Sequence, residues 1–166
     1  MILWISGLAG AGKTTLAKEV VRLYRLENQN VIHLDGDRIR EIMHNFDYSL
    51  AGRGSNARTI AKLCCELSNQ GIHVVCSILS IFEEHKRYCV ENSDGFAEVF
   101  IEVSMKNLRA RDQKALYSGA ENKQVTNVIG VDIPFNTPAT AAMTIENNVS
   151  EDEFLASATR VLRLLP

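Results

Sequence analysis

The stretch GLAGAGKTT, residues 7–15, narrows the choice of fold more than any other part of the chain. It stands between an apolar run, MILWIS, and a segment at 14–26 that puts Leu16, Val20, Leu23 and Tyr24 on one helical face. Gly7, Gly12, Lys13 and Thr14 fill every fixed position of the pattern G-x-x-x-x-G-K-[ST]. Without Cβ atoms, the glycines let the backbone curl closely around phosphate oxygens. The main chain from Gly7 through Gly10, Ala11 and Gly12 to Thr15 is then the expected phosphate cradle, completed by the N-terminus of the next helix. Lys13 is expected to reach the β- and γ-phosphates, and the Thr14 hydroxyl to ligate Mg²⁺. A glycine-rich turn with a chance lysine is the alternative. The strand before the loop and the helix after it favour bound MgATP.

Short apolar runs at 2–6, 31–35, 73–78, 98–103 and 142–146 alternate with helical patterns at 14–26, 38–44, 57–69, 82–91, 105–120 and 154–165. A loop is expected at 130–138. Strands without a polar face imply a parallel sheet covered on both sides. The expected fold is α/β: a three-layer αβα sandwich of the phosphate-loop NTPase kind, with a mainly parallel five-stranded sheet. With 166 residues, 46% of them hydrophobic, the chain makes one domain over 1–166. A net charge of −2 gives no broad basic field for nucleic acid or an anionic membrane, so neither is expected as a partner. Cys64, Cys65, Cys76 and Cys89 lack metal-ligand spacing and read as reduced, mostly buried thiols. No leader pattern and no membrane-spanning run is apparent, and a cytoplasmic location is expected.

Ligands of parallel sheets bind at the carboxyl ends of the strands. Gly7, Asp35, Asp37 and Ser80 lie at or just past such ends, and are therefore expected to converge. The guanine signature N-K-x-D is absent, since Asn122-Lys123-Gln124-Val125 lacks the acid. The acids stand instead in Leu34-Asp35-Gly36-Asp37, where a small kinase would set a carboxylate against an acceptor hydroxyl. Asp-Gly-Asp also suits a solvated turn capping a helix, so both readings stay open. Arg109, Arg111 and Lys114 form either a lid over the phosphates, within a region at about 105–130, or a solvated helix face. Trp4 reads as core; His33, like His44, His73 and His85, lacks ligand spacing and reads as structural or exposed, with lining of the site pocket as its alternative. A nucleotide-dependent regulatory ATPase is the competing function, but it needs no grip on a second substrate.

Six motifs in order resemble the adenylyl-sulfate kinase family. They are GLAGAGKTT; HLDGDRIRE at 33–41; Arg53-Gly-Ser-Asn56-Ala-Arg58; Ser77-Ile-Leu-Ser80-Ile81-Phe82 with Arg87; RDQKALY at 111–117; and GVDIPFNTP at 130–138. The resemblance spans residues 2 to about 146. It implies phosphoryl transfer from MgATP to a ribose 3′-hydroxyl, usually by a homodimer. Asp37 resembles the acid nearest that hydroxyl, with Lys13 on the phosphates and Asp35 beside the metal. Arg40, Arg53 and Asn56 resemble the grip on the acceptor's phosphate–sulfate unit, a role that guanidinium forks suit. Tyr48 stands where the family has a phenylalanine against the acceptor base, and Ser80 and Ile81 follow the third strand near the substrate.

Departures from the pattern concentrate around the acceptor. Glu121 replaces an arginine, Thr126 a lysine, Val128 a stacking phenylalanine, Ile81 a proline, and Ile133 the second acid of D-D-P. With Lys123 and Val128 in the substrate-binding set, these changes imply a remodelled base pocket suited to a smaller pyrimidine. Relatives in this family phosphorylate cytidine diphosphoramidate on a route to phosphoramidate-decorated capsule sugars. The expected acceptor is thus adenylyl sulfate or a related nucleotide such as cytidine diphosphoramidate.

Overall fold

Every residue of β1 (Ile2–Ser6) is buried, because this strand lies in the middle of the sheet with a helical layer on each face. The computed structural model describes residues 1–112 and 115–166. Leu3 and Ile5 point into one apolar cluster, with Leu16, Val20 and Val161. Ile2 and Trp4 point into the other, with Ile60, Cys64 and Cys76. That two-sided burial explains the absence of polar alternation.

The sheet is wholly parallel, in the order β2 (Val31–Asp35), β3 (His73–Ser77), β1, β4 (Phe96–Glu102), β5 (Met143–Glu146). Its carboxyl ends therefore all reach the same edge. α1 (Lys13–Tyr24) follows the glycine loop, and α2 (Gly36–Ile42) begins directly after Asp35. α3 (Leu50–Asn69) and α4 (Glu83–Asn92) pack on each other over the Trp4 face. Among the described residues, no helix is long and apolar enough to cross a membrane.

Three helices differ from the sequence expectation, each for a local reason. α3 starts at Leu50 rather than 57, since Ser49 accepts the Gly52 N–H and caps it. Gly52 and Gly54, poor helix formers, hide that first turn from a propensity argument. A Cβ on Gly52 would lie 2.3 Å from Asp47 Cγ and 2.5 Å from its carbonyl oxygen, so glycine is required there. The segment expected as one helix at 105–120 is two, α5 (Met105–Arg111) and α6 (Leu116–Glu121). Asp112 turns left-handed at φ 31°, and its carboxylate accepts the N–H groups of Tyr117 and Ser118. The closing helix is likewise split, into α7 (Glu151–Ala156) and α8 (Ala158–Leu162). It starts earlier than expected because Ser150 and Glu153 form a capping box.

The end of β1, just before Gly7, is held by a buried charge network. Ser6 Oγ donates to Glu98 Oε1 at 2.6 Å, and Lys86 Nζ donates to Glu98 Oε2 at 2.9 Å. Both charged side chains are almost fully enclosed. Lys86→Met would leave Glu98 buried without its cation, a loss of roughly 3–5 kcal/mol. Thermal unfolding should show a fall in Tm of roughly 10 °C. The double variant Lys86→Met/Glu98→Leu should recover much of that loss.

Candidate active site

The glycine loop folds as the motif requires. Gly7, Gly10 and Gly12 all have positive φ. At Gly12, at φ 98°, a Cβ would sit 2.8 Å from Asn147 Nδ2 and 2.9 Å from the Phe154 ring, and at Gly7 it would sit 2.8 Å from the Ile101 carbonyl oxygen. Three successive loop carbonyls are held by side chains from elsewhere in the fold. Tyr117 Oη donates to Ala9 O at 2.8 Å, Arg111 Nη1 to Gly10 O at 3.2 Å, and Asn147 Nδ2 to Ala11 O at 2.8 Å. A trans peptide sets its N–H opposite its C=O. The Gly10 and Gly12 amides therefore face away from these tethers.

Lys13 Nζ donates to Leu8 O at 2.7 Å. Burial pushes its pKa down to about 8, against the pull of Asp37 and Asp35. Asp35 serves two elements at once. Its Oδ1 accepts the N–H groups of Asp37 and Arg38, capping α2. Its Oδ2 accepts the Thr14 hydroxyl at 2.6 Å and the Ser77 hydroxyl at 2.8 Å. Burial alone would raise the Asp35 pKa, but these hydrogen bonds from Thr14, Ser77 and the Arg38 backbone hold it below its ordinary value. Asp35 is therefore a helix cap, as one reading of the Asp-Gly-Asp stretch expects, and its second oxygen is turned to Thr14 and Ser77.

These groups open onto a cavity of about 830 Å³. Its wall includes Gly10, Gly12, Lys13, Thr14, Thr15, Asp35, Asp37, Arg40, Tyr48, Arg53, Asn56 and Arg111. At the end away from the glycine loop, Tyr48 lies against two guanidinium groups. Arg40 is 4.7 Å and Arg53 5.4 Å from its ring centroid. Arg40 donates to the carbonyls of Asn45 and Asp47, and Arg53 to those of Tyr48 and Asn127. Asn56 is 3% exposed, and among the described residues its Oδ1 has no hydrogen-bond partner.

Other expected residues lie elsewhere. Gly7 and Ala11 support the loop from outside the cavity wall. Ser80 and Ile81 also fall outside it; Ser77, Ile78 and Leu79 take that place, and the Ser80 hydroxyl turns to the Phe82 N–H. Val128 is 1% exposed and belongs to the core, so it is no platform for a base. The wall there is Val125, Thr126 and Asn127. Lys123 is exposed on a left-handed turn outside the wall. Arg109 also stands outside it, paired with Glu121 at 2.9 Å. Lys114 lies outside the described residues.

Asn147, Val149 and Phe154 also line the cavity and were not expected from sequence. Asn147 follows the end of β5, so the rule of carboxyl ends applies to it as well. Ser77, at the carboxyl end of β3, lines the cavity too.

The residues present fit a Mg²⁺ ion carried in with a nucleotide. The Thr14 hydroxyl gives its proton to Asp35, which leaves its lone pairs open on a cavity that both residues line. Mg²⁺ is commonly held by one or two such protein oxygens, with phosphates and water completing its shell. Among the described residues, no group of three or more His, Cys, Asp or Glu is placed to hold a metal without that help.

A parallel sheet with this loop at its carboxyl edge, facing an acid and a basic cavity, defines the phosphate-loop kinase class. The model of the adenylylsulphate kinase family matches residues 1–146, and the chain belongs to that family. The cytidine diphosphoramidate kinase of Campylobacter jejuni subsp. jejuni serotype O:2 is 40% identical over 147 residues, 89% of this chain and 86% of that protein. The adenylyl-sulfate kinase of Paraburkholderia xenovorans is 32% identical over 149 residues, 89% of this chain and 83% of that protein. The structure of the Mycobacterium tuberculosis APS kinase in complex with AMPPNP and APS is similar, with a TM-score of 0.86 at 27% identity. The match covers 98% of this chain and 96% of that one. The protein is thus a phosphotransferase.

The lowered Lys13 pKa has a measurable consequence. The unfolded chain keeps this proton to about pH 10.4. Between about pH 8 and 10 unfolding therefore takes up a proton, and the free protein gains stability from this group as pH rises. A polyphosphate restores the charge, so ADP binding near pH 8 should take up protons. Calorimetry in buffers of different ionisation enthalpy should detect this uptake, and Lys13→Met should abolish it.

Proposed function

We propose that the protein is an ATP-dependent kinase that phosphorylates the ribose 3′-hydroxyl of a pyrimidine nucleotide, cytidine diphosphoramidate, in preference to adenylyl sulfate. The observation that carries the acceptor reading is the wall at Val125, Thr126 and Asn127. The residue at the family's aromatic position, Val128, is turned into the core and offers a purine no stacking surface. The 40% identity to a kinase named for that acceptor supports the same reading.

In this scheme the Gly10 and Gly12 amides, with Lys13, bind the β- and γ-phosphates. Arg111, already at the Gly10 carbonyl, covers the ATP side. The Thr14 oxygen would hold Mg²⁺, with Asp35 fixing that hydroxyl, and the ion would offset negative charge on the phosphates. Asp37 accepts the proton of the 3′-hydroxyl as its oxygen bonds to the γ-phosphorus. The bond from that phosphorus to the bridging oxygen breaks, and ADP leaves. Arg40, Arg53 and Asn56 bind the acceptor's anionic phosphate unit, and Tyr48 packs against its base.

Steady-state kinetics test the assignment. kcat/KM for cytidine diphosphoramidate should exceed that for adenylyl sulfate by at least about tenfold, the worth of a lost stacking platform. The reverse order would overturn the acceptor reading. Asp37→Asn should lower kcat by roughly 10²–10⁴ with ATP binding intact. Arg53→Ala should raise the acceptor KM by roughly 10–100-fold and leave that of ATP alone, as expected for a lost charge-assisted hydrogen bond.

A further inference from the structure

β2 is apolar except at His33 and its last residue, Asp35. Side chains two apart on a strand share a face, so His33 and Asp35 point the same way. Parallel pairing sets Asp35 opposite Ser77. His33 Nε2 lies 2.8 Å from Ser77 Oγ, and Ser77 Oγ lies 2.8 Å from Asp35 Oδ2. Thr14 Oγ1 reaches the same carboxylate oxygen at 2.6 Å.

The direction of each proton in this chain follows from its end. An ionised carboxylate only accepts, so the hydroxyls of Ser77 and Thr14 both donate to Asp35. With its own proton committed, Ser77 Oγ can only accept from His33, so Nε2 carries a proton. Without this donor the Ser77 hydroxyl would be held only by its single bond to Asp35 Oδ2, and its oxygen would lose the second contact that fixes it.

We infer that His33 is a positioning residue for the metal end of the site. By donating to Ser77 it locks the Ser77 hydroxyl onto Asp35, and the fixed carboxylate in turn orients the Thr14 hydroxyl with its lone pairs toward the cation. His33 lies outside the cavity wall. The inference rests on the proposed role of Thr14, held by Asp35, as the protein oxygen that meets Mg²⁺.

Two measurements test it. ¹⁵N NMR of the metal-free protein, at a pH where the imidazole is neutral, should find the His33 proton on Nε2. A proton on Nδ1 would overturn the inference whatever the enzyme does. Calorimetry of ADP binding, with Mg²⁺ or with EDTA, then compares wild type with His33→Leu and His33→Gln. Glutamine can place an amide donor near the Nε2 position, and leucine cannot. In EDTA all three should bind ADP alike. With Mg²⁺, His33→Leu should lose about tenfold of the strengthening seen in wild type, the usual scale for losing an outer partner of a metal ligand. His33→Gln should keep it. Equal loss with and without Mg²⁺ would mark a merely structural residue and overturn the inference, as would full strengthening in His33→Leu. If wild type itself shows no strengthening by Mg²⁺, the metal reading of Thr14 falls, and this inference with it.

Discussion

The tethering of three adjacent carbonyls in the glycine loop is the constraint on which the site depends. Tyr117, Arg111 and Asn147 hold Ala9, Gly10 and Ala11 by their oxygens. The tethers come from α6, the end of α5 and the end of β5, so three parts of the fold agree on one backbone conformation. A glycine-rich loop has high conformational freedom, and ordering it is costly. Here the protein has met that cost before a ligand arrives, which is what preorganisation means for affinity.

A second economy lies in Asp35. One of its oxygens caps α2, while the other gathers the hydroxyls of Thr14 and Ser77. The carboxylate thus joins the first turn of α1, the end of β3 and the start of α2. Asp37, in the first turn of α2, is placed by the same capped helix that carries Arg40 toward Tyr48. Thr14, Ser77 and Asp37, which Asp35 joins, are thus also residues of the cavity wall.

Much of this was legible in the chain, because strand periodicity and the glycine motif are local signals. All five strands fall within two residues of their expected bounds, and Lys13, Thr14, Asp35, Asp37 and Arg53 meet around one cavity. What sequence could not supply was the direction of side chains in irregular segments. Ser77 and Ser80 are equally polar, but only Ser77 stands in register with Asp35. Val128 is apolar, and nothing local distinguishes a pocket wall from the core. Glu121 stands where the family has an arginine, but it pairs with Arg109 outside the cavity wall. The break at Asp112 was hidden because a helical pattern carries no sign of a left-handed residue.

The segment that forms the wall at Val125, Thr126 and Asn127 is fastened by its main chain and by the buried Val128 side chain. Gly119 O receives the N–H groups of Gln124 and Val125, Arg53 grips the carbonyl of Asn127, and Asp132 takes the N–H groups of Asn127 and Val128. Such anchors do not depend on which side chains the wall displays. Thr126 can therefore be exchanged with little penalty to folding, whereas Asn127, at φ 63°, holds a left-handed turn that few residues other than glycine and asparagine adopt without strain.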